Sequence, residues 1–278
     1  MKRMPVKRLL KEAGTKVLWT LQDFRDSVTN SRPALVPPRM LDHNHSFKGG
    51  DELLTMLKEY ADLQPTDRVL DVGCGIGRVA APLTKYLNDK GSYVGIDIVQ
   101  PAVNWMKKTY EKDHKNFQFY HLDVHNSAYN PNGKQIADQV VFPFSGKNQF
   151  DVIFLISVFT HMYPEHIRHY IKLFEQQLKP GGRVFASMFI NDEFAKAQQV
   201  KAIETKQNIV TRKFVKKTED YYAPAKSNPE AAAAYDPTQI EKLFSGSTLK
   251  IVKPFVFGNW CGREGGTSFY QDVVIAKK

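Results

Sequence analysis

The chain has 278 residues, 42% of them hydrophobic and 12% aromatic, enough to bury the core of one large domain or two small ones. Its longest strongly apolar run, VIFLISVF at 152–159, falls well short of the roughly 20 residues that span a bilayer, and the basic start MKRMPVKRLLKEAG lacks the apolar stretch of a secretory signal. Its two cysteines, Cys74 and Cys261, lie in no CxxC or Cys/His cluster, which excludes a disulfide framework, gives no sign of a metal site and leads us to expect a soluble, cytoplasmic protein.

The formal charge of +10 is uneven. Residues 1–50 hold ten Lys/Arg against four acids, and 196–217 hold seven against Glu204 alone. Such an excess suits an anionic partner (a phosphate, an acidic glycan, nucleic acid or a peripheral membrane surface), or simply a solvated face.

In chain order, Leu10, Ala13, Val17, Leu21 and Phe24 predict an amphipathic helix over 6–24. Residues 31–50, rich in Pro, Gly and His, predict a loop, so that 1–50 form a basic extension to a main domain over 51–278. Strands and helices then alternate. Helices are expected at 51–63, 77–89, 101–113 and 164–178, and strands at 68–72, 92–97, 117–123, 150–157 and 183–190. The strands are apolar throughout rather than alternating, which argues for a doubly wound, mostly parallel α/β sheet with helices on both faces. The final strands, within 247–260 and 268–278, have too few residues between them for a crossover helix and should pair antiparallel.

Residues 191–236 give no strand signal and read as an insertion after the fifth strand, over its carboxyl end. Ser227, Pro229 and Glu230 predict a helix start in SNPEAAAAY, and Asp236–Pro237 predict another in PTQIEKLF, closed by Gly246.

The first strand runs into VLDVGCGIGRVA, 69–80. A glycine turn there belongs where open α/β sheets bind ligands. A dinucleotide fingerprint would put its third glycine at 78, but Arg78 stands there, and no phosphate-loop GxxxxGK[ST] occurs.

DVGCGIG instead resembles the first motif of class I S-adenosylmethionine-dependent methyltransferases, and the rest of 50–278 follows in order: GID ending at Asp97, YHLDV with Asp123, FDVIFLISVFTHM, and LKPGGRVFAS. The resemblance implies a seven-stranded sheet of order 3-2-1-4-5-7-6 and S-adenosylmethionine as cofactor. Gly73 and Gly75 would let backbone approach the methionine and ribose part. Asp71 would orient the loop, or reach the cofactor ammonium through water. Asp97 would take both ribose hydroxyls, and Asp123 the adenine amino group beside the Val124 amide. Cys74, Gly77, Ile98 and Ser157 complete the expected cofactor wall.

His161, in SVFTHMYPEH after the fourth strand, is the candidate base, since imidazole titrates near neutrality. Arg39 and Phe47 from the 37–50 loop, with Tyr163, Tyr221 and Tyr222, are expected at the acceptor, the 191–236 insertion serving as a lid. The chain lacks the [DNS]-P-P-[YFW] that marks enzymes methylating exocyclic base nitrogens, and the double-glutamate loop of arginine methyltransferases. PPRMLDHNHSFKGGDELL and GNWCGREGGTSFYQDVV resemble a bacterial group with small-molecule or glycan acceptors. A hydroxyl of such an acceptor, anionic or neutral, is expected. The alternative is a macromolecule (RNA, protein or membrane lipid) docked through the basic arm.

Overall fold

The computed structural model describes residues 49–127, 129–206, 210, 212–226 and 230–278. The expected 6–24 helix, the 31–48 loop, and with them Arg39 and Phe47, lie outside the described residues. In chain order the elements are α1 (Gly50–Tyr60), β1 (Arg68–Val72), α2 (Ala80–Tyr86), β2 (Ser92–Asp97), α3 (Gln100–Met106), β3 (Phe117–His121), β4 (Phe150–Leu155), α4 (Pro164–Gln177) and β5 (Leu178–Met188). After these come α5 (Glu193–Glu204), the short strands β6 (Val215–Lys216) and β7 (Tyr222–Ala223), α6 (Pro237–Phe244), β8 (Lys250–Val256) and β9 (Asp272–Lys277).

The seven-stranded sheet has the order β3-β2-β1-β4-β5-β9-β8. Counting only its own strands, this is the expected 3-2-1-4-5-7-6. β1 pairs parallel with β2 and β4, β2 with β3, and β4 with β5, while β9 runs antiparallel to both β5 and β8. Both faces are covered. Val69, Phe154 and Phe185 pack with Leu53, Leu57, Leu83, Val103 and Met106 of α1 to α3. Leu70, Ile153, Val184 and Val274 pack with Ile167, Ile171, Phe174, Ile240 and Leu243 of α4 and α6. Fully burying each such side chain contributes about 1.5–3 kcal/mol, which explains strands that are apolar on both sides. The chain turns outward from β1 in both directions, so a crevice opens at the carboxyl ends of β1 and β4.

The insertion departs from expectation. Residues 230–235 form no helix: Ala233 N donates to Thr160 O (2.7 Å), Ala234 N to Tyr222 O (2.9 Å) and Tyr235 N to Phe189 O (3.0 Å). Tertiary backbone partners thus outcompete the helical preference of the alanines, and Ala232, Ala233 and Ala234 are fully buried. A helix forms instead at α5, where Asp192 accepts from Ala195 N. Its buried side is Ala195, Gln199 and Ala202, while Val200 and Ile203 face solvent, so no apolar stripe marks it in sequence. The β6–β7 pair was likewise unsignalled. The α6 helix starts as expected, with a capping box between Asp236 and Gln239.

Two ties hold the insertion to the last hairpin. Phe189, Phe214, Ala234 and Trp260 share a small core, and the Arg263 guanidinium reaches both oxygens of Asp192 at 2.7 Å. Buried Asp272 accepts from Ile190 N, Gly258 N and Trp260 Nε1 at 2.7–2.9 Å.

Asp71 is buried in β1 and accepts from the Tyr93 hydroxyl at 2.7 Å. Burial, above all, pushes its carboxyl up to about 7; the Tyr93 bond opposes this, the Asp97 charge adds to it and Arg78 lowers it. The folded protein therefore keeps a proton that the unfolded chain releases near pH 4, and stability falls as pH rises from about 4 through 7. Asp71→Asn removes this loss, which is on the order of 4 kcal/mol for about three units. Urea unfolding at pH 4.5 and 7.5 checks it. The variant should gain on the wild type toward pH 7.5, and parallel pH curves would contradict the assignment.

Candidate active site

The glycine loop after β1 is held by β2. Gly73 N and Cys74 N both donate to Ile96 O (2.8 and 3.1 Å), and Gly75 N donates to Asp97 Oδ2 (2.7 Å). The other Asp97 oxygen accepts from Val99 N at 2.8 Å, so one carboxylate fixes the turns that follow both strands. Gly73 has φ +79°, and a Cβ there would lie 2.5 Å from Val158 Cγ2. Gly77, at φ +86°, would strike the Met106 Cε at 2.5 Å, so it admits α3 rather than a ligand.

Above the loop lies a cavity of about 550 Å³, within the size range of small-molecule and cofactor sites. One wall is Gly73 to Ile76, Arg78, Asp97 to Val99, Leu122 and Val124. The facing wall comes from the end of β4 (Ser157, His161), α4 (Tyr170), Tyr129, the insertion (Arg212, Glu230) and Tyr270–Gln271.

Ser157 adopts a left-handed backbone (φ 60°), an uncommon conformation that clusters at functional sites. Its amide donates to Ser187 Oγ (2.7 Å), and the two serine hydroxyls both donate to Gln271 Oε1 (3.0 and 2.7 Å). These bonds turn Gln271 into the cavity wall.

His161, half-buried in a single 3-10 turn, Phe159–His161, meets Glu230 O through Nδ1 at 2.9 Å. A carbonyl can only accept, so Nδ1 carries the hydrogen and the neutral ring keeps its lone pair at Nε2. Burial, first, and the positive charge of Arg212 lower its pKa below the ordinary 6.5, against the opposing pull of the Glu230 carbonyl. The Tyr129 ring contacts it edge-on at 5.9 Å.

Of the expected site residues, Gly73, Cys74, Gly75, Asp97, Ile98, Val124, Ser157 and His161 line this one cavity. Others do not. Asp71 faces Tyr93 behind the loop, and the loop-orienting role expected of it belongs to Asp97. Asp123 lies outside the wall, its carboxylate 3.4 Å from Asn130 Nδ2, and the neighbouring Val124 amide is engaged by Leu122 O. Tyr163 and Tyr221 pack on each other away from the cavity, and the Tyr222 hydroxyl donates to Asp236. Sequence reasoning missed Arg78, Tyr129, Tyr170, Arg212, Glu230, Tyr270 and Gln271. Arg78 directly follows the glycine loop, and Arg212 sits in the 196–217 basic run, which had been read only as charge.

Residues 70–184 match the family model of a methyltransferase domain. The chain is 30% identical over 140 residues to a tRNA N(3)-cytidine methyltransferase of Danio rerio, a stretch covering 50% of this chain and 36% of the relative. The chain thus spans about a third of the length of that curated relative. Among solved structures, a SAM-dependent methyltransferase from Aquifex aeolicus superposes with a TM-score of 0.50 at 17% identity, over 84% of this chain and 98% of that one. The 1,6-didemethyltoxoflavin-N1-methyltransferase of Burkholderia thailandensis gives 0.51 at 14% identity, over 100% and 92%. With the sheet order, these matches show a Rossmann-like fold, within which residues 70–184 are similar to a methyltransferase domain.

Proposed function

We propose that the protein transfers a methyl group from S-adenosylmethionine to a hydroxyl of a small-molecule or glycan acceptor, with His161 as general base. The observation that carries this reading is the Nδ1 bond from His161 to the Glu230 carbonyl within the cavity, which leaves a neutral imidazole with its basic nitrogen at Nε2.

The residues present fit the cofactor. Asp97 offers two acceptor oxygens to a vicinal diol, Ile98, Leu122 and Val124 offer an apolar surface to a flat base, and Arg78 offers a cation to a carboxylate. The absence of a Cβ at Gly73 admits the Val158 side chain, and the backbone of Gly73 to Gly75 lines the cavity. Bound there, S-adenosylmethionine would supply an electrophilic methyl carbon on a positive sulfur that can become a neutral thioether. His161 Nε2 accepts the proton that the acceptor hydroxyl loses as its oxygen takes the methyl, then returns that proton to solvent. The insertion supplies Arg212 and Glu230 to the acceptor side, which supports its role as a lid that excludes water.

A second reading, a macromolecular acceptor, is favoured by the similarity to tRNA methyltransferases and by the +10 charge. Such an enzyme would lose affinity steeply between about 50 and 200 mM salt, whereas a pocket enzyme would barely respond.

Two measurements test the proposal. His161→Ala should lower kcat by roughly 10²–10⁴ with cofactor affinity nearly intact, and the wild-type kcat profile should show an acid limb with its midpoint below 6.5. A variant that keeps its rate, or loses cofactor affinity instead, would assign His161 a structural role. For the lid, tryptic cleavage at Lys213–Lys217 should slow when S-adenosylhomocysteine and acceptor are bound. Cleavage unaffected by both would remove the lid.

A further inference from the structure

Two arginines, Arg78 and Arg212, line the cavity. Arg78 follows the glycine loop, beside the groups that fit the cofactor. Arg212 comes from the insertion, on the wall shared with His161 and Tyr129. It is half-buried, and its guanidinium stacks over the Phe189 ring at 5.7 Å, which fixes where the charge sits.

No carboxylate answers it among the described residues. Glu230, which also lines the cavity, makes no ion pair with it, and its carboxylate accepts from the Ser127 hydroxyl. Arg263, by contrast, is paired with both oxygens of Asp192. The Arg212 charge is nonetheless felt in the cavity: it adds to the burial that makes His161 harder to protonate, and at Tyr129 it opposes the burial that raises the hydroxyl's pKa. Among the described residues the partner of Arg212 is an aromatic face and not an oxyanion, and the planar fork of a partly desolvated guanidinium matches an oxyanion.

We infer that Arg212 clamps a carboxylate or phosphate borne by the acceptor, so that the substrate class is anionic hydroxyl compounds rather than neutral ones. This rests on the functional reading above and deepens it. The clamp would hold the acceptor by one end while its hydroxyl meets His161, converting binding energy at a remote group into orientation at the reacting one. An anion at Arg212 would also cancel the charge that depresses His161 and so strengthen the base.

The same oxyanion chemistry could come from the cofactor's own carboxylate, and the test separates the two sources. Histidine-labelled protein is titrated with inorganic phosphate and with succinate, with and without saturating S-adenosylhomocysteine, following the His161 pKa by NMR. In the wild type either anion should raise that pKa in the presence of S-adenosylhomocysteine. Arg212→Met should weaken the anion's effect at least tenfold, Arg212→Lys by less, and both should bind S-adenosylhomocysteine as the wild type does. Circular dichroism confirms that the variants fold. No shift with either anion, or an equal shift in Arg212→Met, would overturn the inference. So would a tenfold loss of S-adenosylhomocysteine affinity in Arg212→Met, which would give the residue to the cofactor. Failure of the wild type to bind S-adenosylhomocysteine at all would sink the functional reading instead, while the titrations without it would still decide whether Arg212 holds an anion.

Discussion

The site depends on one carboxylate. Asp97 ends β2 and takes the Gly75 amide on one oxygen and the Val99 amide on the other. Without it, a loop with positive φ at Gly73, Gly75 and Gly77 would have little to define its course, since glycine pays the largest entropy cost on ordering. A charged acceptor on a backbone N–H is among the stronger hydrogen bonds in a protein. Because a carboxylate oxygen can accept more than one bond, shaping the loop and recognising a diol are compatible tasks for the same group.

The facing wall is built by a different logic. Nothing in it comes from a single strand–helix unit. His161 needs the Glu230 carbonyl from the far end of the insertion, and that segment is held by the bonds from Ala233 to Thr160 and from the Tyr235 hydroxyl to Met162 O (2.6 Å). Ser157 needs Ser187 from β5 and Gln271 from just before β9. Asp272, next in sequence, ties Ile190, Gly258 and Trp260 together and so locks the hairpin against the end of β5, where the insertion begins. The cofactor half of the crevice is thus preorganised by the sheet, whereas the acceptor half rests on long-range contacts.

That division explains what the sequence made legible. The parallel α/β sheet, its antiparallel last strands and the glycine loop follow from local pattern (apolar strands, short connections and turn glycines), whereas the sheet order and the role of Asp97 came with the resemblance to class I methyltransferases. Asp71 and Asp123 looked equivalent to Asp97 in sequence, but one side chain turns into the core toward Tyr93 and the other toward Asn130. Which way a side chain points at a strand end depends on register, and that is set by neighbouring strands. The alanines at 231–234 carry a strong local helix signal that partners from Thr160, Phe189 and Tyr222 override. Arg212 and Glu230 were visible only as a charge and a cap, because their meaning arises from an insertion folding back over a cavity built by segments distant in sequence.

The central claim, that the crevice governed by Asp97 is an S-adenosylmethionine site, is tested most directly by calorimetric titration of the full chain with S-adenosylmethionine and, separately, with NADH. The account predicts micromolar binding of S-adenosylmethionine, no binding of NADH, and at least a tenfold weakening (about 1.4 kcal/mol) in Asp97→Ala. Binding of NADH without S-adenosylmethionine, or an Asp97→Ala protein that is folded and binds S-adenosylmethionine as tightly as the wild type, would contradict it.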